Sequence, residues 1–167
     1  MNVPLKILAI FFLLGLVSNS WAENAPVTCA IQTYDGHYLT AVSGGGRTTN
    51  VIHSDATWIR SWEKFTLVDS GDGTPIITYG IKTVKGYYLT AVSGGGRVTD
   101  VIHSDATQLL GWEKFQMISL GYGWYAIKTI NGNYLTAVSG GGRTTYVIYS
   151  NATGIGTYEM FKLICPV

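Results

Sequence analysis

The sequence predicts an all-β fold made of three equivalent units. Three observations carry that prediction. A stretch of thirty residues is written three times, at 36–65, 86–115 and 132–161. A hairpin signal opens each copy at the same place. No segment has the apolar period of a helix beyond about one turn. The copies read GHYLTAVSGGGRTTNVIHSDATWIRSWEKF, GYYLTAVSGGGRVTDVIHSDATQLLGWEKF and GNYLTAVSGGGRTTYVIYSNATGIGTYEMF. The first two differ only at positions 37, 48, 50, 58, 59, 60 and 61 of the first. Twenty-one glycines and eleven tyrosines with only 13% charged residues make a turn-rich β composition, not a disordered one.

Residues 1–22 have the organisation of a secretory signal. Lys6 supplies the positive start, 7–17 is an uncharged apolar run too short to span a bilayer comfortably, and Ser20-Trp21-Ala22 places small residues where a signal peptidase reads. Cleavage after Ala22 is expected, with an uncleaved anchor as the alternative. This leaves residues 23–167 as one domain, secreted or periplasmic. Its repeats span about 28–69, 77–118 and 123–166. Without Lys6 the basic and acidic residues balance at ten each, and no basic run is present. Long-range attraction to nucleic acid or anionic membranes has no source in such a chain. Neither a nucleic-acid partner nor membrane insertion after signal cleavage is expected.

Within each unit four short strands are expected. Residues 29–33 form the first, Asp35-Gly36 makes a tight turn, and 38–42 returns as the second. Ser43-Gly-Gly-Gly46 is a turn that needs positive φ. Residues 49–53 are β-branched and read as the third strand, and 62–68 as the fourth. Residues 69–75 link to the second unit, in which 79–83 replaces 29–33 and Lys85-Gly86 makes the turn. The shorter link at 119–122 leads to 125–129 and Asn131-Gly132, and 163–167 reads as the last strand. Twelve short strands in three four-stranded units define a β-trefoil with pseudo-threefold symmetry. A three-bladed propeller is the alternative on period alone, but propellers typically need at least four blades.

Cys29 and Cys165 stand at opposite ends of the repeats. Export permits oxidation. A bridge would tie the first strand to the last and close a loop worth about 5 kcal/mol in the chain-entropy model. Two independent buried thiols are the alternative. No CxxC or zinc-finger spacing occurs, so no metal and no cofactor are expected.

The repeated motif resembles the fascin-like branch of the β-trefoil superfamily. The carriers are Tyr-Leu-Thr-Ala before a Gly-rich turn, then Ser-Asp, then Trp-Glu-x-Phe. They stand at Tyr38, Ser54-Asp55 and Trp62, at Tyr88, Ser104-Asp105 and Trp112, and in weaker form at Tyr134, Ser150-Asn151 and Tyr158. Family members often carry Arg or Gln after the Asp. Ala56, Ala106 and Ala152 follow here, so that contact is missing. The resemblance implies a trefoil fold and a branch that includes actin-bundling proteins. The Gln-x-Trp signature of ricin-type trefoils does not appear at the repeat ends.

Phe65, Phe115 and Phe161 are expected in the core, with Trp62, Trp112 and Tyr158 covering the barrel bottom or packing beside the hairpins. Glu63, Glu113 and Glu159 are expected to accept backbone hydrogen bonds from the preceding loop. The Gly-Gly-Gly-Arg stretch lacks the helix and the Gly-Lys-Ser/Thr of a phosphate loop. His53-Ser54-Asp55 and His103-Ser104-Asp105 contain the residue types of a hydrolase triad. On an extended strand the Ser points away from its neighbours, and the third copy, Tyr149-Ser150-Asn151, has no base. No catalytic residue is therefore expected. What remains is a binding reading with up to three equivalent sites. Asp55, Asp105 and Asn151 would accept from sugar hydroxyls, Arg47, Arg97 and Arg143 would donate, and His53, His103 and Tyr149 would support, beside aromatics such as Trp58. The expected partner is a glycan or polysaccharide, with a protein partner, actin-like or an inhibited protease, as the alternative. Asn151-Ala-Thr153 is also a glycosylation sequon.

Overall fold

The computed structural model describes residues 25–167; the expected signal segment lies outside them. The first unit comprises β1 (Val27–Gln32), β2 (Tyr38–Ala41), β3 (Ile52–Ala56) and β4 (Lys64–Asp69). The second comprises β5 (Tyr79–Thr83), β6 (Tyr88–Ala91), β7 (Ile102–Ala106) and β8 (Lys114–Gly121). The third comprises β9 (Trp124–Thr129), β10 (Tyr134–Ala137), β11 (Ile148–Ala152) and β12 (Met160–Ile164). The only helical pieces among the described residues are single 3-10 turns.

Six strands close a barrel. Going round, β1 pairs with β4, β4 with β5, β5 with β8, β8 with β9, β9 with β12, and β12 with β1, all antiparallel. Closure removes the sheet edges that would otherwise template aggregation. The pairs β2–β3, β6–β7 and β10–β11 form three further hairpins, one per unit. This is a β-trefoil.

The core follows the repeat. Phe65, Phe115 and Phe161 are fully buried, as are Ile31 and Ile127, with Leu39, Leu89 and Leu135 packed around them. Alternation along β4 explains the choice: Phe65 and Leu67 face in, while Lys64, Thr66 and Val68 face out. Where Cys29 lies in β1, Tyr79 and Tyr125 stand in β5 and β9, so the first unit substitutes a disulfide half for an aromatic. Cys29 is bonded to Cys165, which fastens β1 to the residue after β12.

Strand limits differ from the sequence expectation in four places. The third strand of each unit starts at Ile52, not 49, because residues 47–50 form a loop whose Asn50 has φ +49°. The fourth starts at Lys64, since Trp62 and Glu63 belong to a 3-10 turn. The final strand is Met160–Ile164 and stops before Cys165. The link at 119–122 is instead a tight hairpin in which β8 runs on to Gly121.

Opening the disulfide tests how much of the barrel depends on it. Cys29→Ala/Cys165→Ala should lower the urea-unfolding free energy by about 2–5 kcal/mol, with the folded circular-dichroism spectrum retained. Wild type measured with and without reductant should show the same difference.

Candidate functional site

The Gly-Gly-Gly-Arg turn and the His-Ser-Asp stretch, separate in sequence, meet across unit boundaries. Ser104 N–H donates to Arg47 O at 2.8 Å, and Gly46 N–H donates to Ser104 O at 2.7 Å. The Ser104 hydroxyl lies 3.3 Å from Arg47 N, from which it accepts, and 3.4 Å from Arg47 O. Unit two grips unit three in the same way, through Gly96, Arg97 and Ser150. Unit three grips unit one through Gly142, Arg143 and Ser54. Each serine is completely buried. None is presented to solvent as a nucleophile would have to be.

The glycines of this latch cannot be replaced. Gly45 has φ +102°, and a Cβ there would stand 2.5 Å from Thr83 Oγ1 of the next unit. Gly95 over Thr129 and Gly141 over Thr33 repeat the arrangement. Those three threonine hydroxyls are buried without a hydrogen-bond partner among the described residues, so the glycine backbone rests directly on them.

The arginine side chains hold their own loops. Nε of Arg47 donates to Thr49 O at 3.1 Å and Asn50 O at 3.2 Å. Arg97 and Arg143 bond Thr99 O and Thr145 O and reach Ser93 and Ser139. His53 Nε2 donates to Asn50 Oδ1 at 2.7 Å, and His103 Nε2 to Asp100 Oδ1 at the same distance. Asp100 also lies 3.7 Å from Arg97 Nη2. In the third unit Tyr146 and Tyr149 occupy the two places, so where the histidine is absent its acceptor is absent too.

Glu63 ties the hairpin to the barrel. It is buried, accepts from Thr40 Oγ1 at 2.7 Å and from Arg60 N–H at 2.8 Å. Glu113 and Glu159 do the same with Thr90 and Thr136 and with the backbone at 110 and 156. Trp62, Trp112 and Tyr158 pack beside the hairpins, the second of the two expected placements. They lie half-exposed on the 3-10 turns, with Trp62 beside Gly44.

Of the nine residues expected to bind, the three arginines and two histidines are committed to loop contacts, and Tyr149 is half-buried with no side-chain hydrogen bond among the described residues. Asp55, Asp105 and Asn151 are exposed, and their side chains make no hydrogen bond within the described residues. Burial alternates along β3, with Ile52 and Ser54 inward and His53 and Asp55 outward, and β7 and β11 repeat it. The Asp or Asn thus faces out after a buried Ser, beside a bulge that sets Tyr38 opposite Ala56 but Thr40 opposite His53. Each Asp or Asn therefore stands next to the latch serine, beside the Gly-Arg peptide of the preceding unit. The three do not converge on one site.

A feature that sequence reading missed lies on the pseudo-threefold axis. There the loops at 48–52, 98–102 and 144–148 enclose a depression of about 860 Å³. Its floor is Val51, Ile52 and their equivalents; Thr49, Asn50, Asp100 and Tyr146 stand among the polar lining. The signal was the retained Thr-x-Val-Ile segment, which repeats at one spacing but faces a common axis only once folded.

No protein-family model and no curated protein matches this chain. Solved structures do. The designed threefold-symmetric protein ThreeFoil aligns with TM-score 0.69 at 14% identity, over 82% of this chain and 97% of its own. The exo-β-1,3-galactanase 1,3Gal43A from Clostridium thermocellum gives 0.68 at 16%, over 83% of this chain but 30% of the enzyme. The Rhizoctonia solani agglutinin gives 0.66 at 15%, over 83% and 94%. At these identities the likeness is one of fold.

Two substitutions separate the structural roles. Gly45→Ala should destabilise by about 2 kcal/mol or more, through positive φ and the clash with Thr83. Glu63→Ala should cost about 2–3 kcal/mol, through two lost hydrogen bonds to a buried carboxylate. Chemical denaturation of each variant reads both.

Proposed function

We propose that the protein is a non-enzymatic carbohydrate-binding β-trefoil that acts outside the cell. Its sugar acceptors are the exposed Asp55, Asp105 and Asn151. One observation carries this reading. Nearly every other polar residue retained among the copies has a structural use: the glycines and serines in the latches, the arginines in their loops, the glutamates under the hairpins. The Asp/Asp/Asn position has none, yet keeps an oxygen acceptor in each copy. An exposed carboxylate or amide oxygen with no internal partner suits paired hydroxyls. Three such lobes about an axis turn weak single contacts into avidity, provided a multivalent surface reaches more than one.

The likeness to an agglutinin supports the same class. The disulfide, and the absence among the described residues of a helix able to cross a membrane, are compatible with export. The repeat motif resembles that of the fascin-like branch, which keeps a protein ligand as the competing outcome.

A glycan-array screen of the folded protein checks the proposal. Wild type should bind a coherent set of neutral glycans, competed by the free sugar. Asp55→Ala/Asp105→Ala should lose most of that binding while its thermal midpoint moves by less than about 2 °C, since both residues are exposed and unpartnered. Binding retained in the double variant would move the site elsewhere, to the axial depression first.

A further inference from the structure

The outer face of the barrel differs from unit to unit, although the latches do not. Between β1, β4 and β5 a groove of about 530 Å³ is lined by Thr28, Lys64, Thr66, Lys82, Val84 and Tyr88, with no carboxylate among its lining residues. Thr66 pairs with Lys82, and Lys64 lies two residues before Thr66 on the same outward face. The two lysines are thus diagonal neighbours, about 7–8 Å apart at the backbone. The Thr28 and Thr66 hydroxyls lie 3.2 Å from each other, and Lys82 Nζ is 5.1 Å from the centre of the Tyr88 ring. Neither lysine has a carboxylate partner among the described residues.

The equivalent faces have lost this character in two different ways. Between β5, β8 and β9 the lysines are Lys114 and Lys128, but Lys114 Nζ is 3.0 Å from Asp72 Oδ2 on the linker. That ammonium, followed by Thr74, holds the Asp72 carboxyl well below the usual carboxylate range. Between β9, β12 and β1 the corresponding residues are Met160 and Gln32. There Trp124 replaces the threonine and packs on Tyr34 at 5.6 Å, with Lys162 6.0 Å from its ring. One flank is a donor-rich groove, one is neutralised, and one is aromatic.

We propose that the groove between β1, β4 and β5 is a separate anion site that takes the sulfate or carboxylate of an acidic saccharide. Two ammonium groups supply the charge and the threonine hydroxyls further donors, while Val84 and the Tyr88 ring contact the sugar's apolar edge. The first two hairpin lobes do not suit an anion, because Asp55 and Asp105 repel it, and the third offers no cation beyond its loop-bound Arg143. That the carrier is a saccharide rests on the carbohydrate-binding reading. The anion chemistry does not.

Isothermal titration with a heparin-derived tetrasaccharide, a trigalacturonate and inorganic sulfate tests the site. At least one acidic saccharide should bind once per chain and weaken as sodium chloride is raised. Lys64→Gln/Lys82→Gln should weaken it at least about tenfold while leaving neutral-glycan binding and the thermal midpoint unchanged. Asp72→Asn, which releases Lys114 beside Lys128, should create a second binding event. Equal binding by the double lysine variant overturns the site, as does the absence of binding by both acidic saccharides, including a response to inorganic sulfate alone. An Asp72→Asn protein still limited to one event overturns the two-lysine requirement. Neutral binding without acidic binding sinks this inference only; acidic binding without neutral binding sinks the hairpin lobes only.

Discussion

The molecule depends on a serine that has no exposed surface. Ser54, Ser104 and Ser150 each engage a Gly-Arg peptide from the neighbouring unit with backbone N–H, backbone C=O and hydroxyl together. Buried polar groups are costly when unpaired and specific when paired. Here the pairing fixes the angle between units, because it is satisfied only when the turn of one unit meets the strand of the next. The barrel core is interchangeable hydrophobic volume by comparison. This geometry explains why Ser-Gly-Gly-Gly-Arg survives unaltered in all copies, while the loop at 58–61 is free to vary.

That result changes the weight of the sequence argument. The copies retain polar turns beyond what a core requires, and for most of those residues the requirement is the latch and not a ligand. The hydrogen bonds responsible join residues 57, 53 and 89 positions apart. No local pattern reveals such partners. Asp55, Asp105 and Asn151 gain from the comparison, because they and the exposed Thr57, Thr107 and Thr153 two residues on are retained in kind without a side-chain use inside the fold.

The fold itself was readable. Asp35-Gly36 and Asn131-Gly132 form turns where hairpin chemistry puts them, and alternation along residues 64–68 separates core from surface correctly. The errors come from residues whose local preference lost to tertiary contacts. Thr49 is β-branched but accepts from Arg47 in a loop, and Trp62-Glu63 is drawn into a 3-10 turn because Glu63 must reach Thr40 and the backbone of Arg60. The basic flank was invisible for another reason. Lys64 and Lys82 are eighteen positions apart in a chain of balanced charge, and only the β4–β5 register makes them neighbours.

Each unit offers one latch turn and one latch serine, and they engage different partners. Such an interface is head-to-tail rather than self-complementary, so the rotation it imposes must either close or propagate. With about a third of a turn per step it closes after three units, and the third returns to the first through Arg143 and Ser54. A single unit cut from the chain would carry an unsatisfied turn at one end and an unsatisfied serine at the other. The covalent links between units raise the effective concentration at which each turn meets its serine.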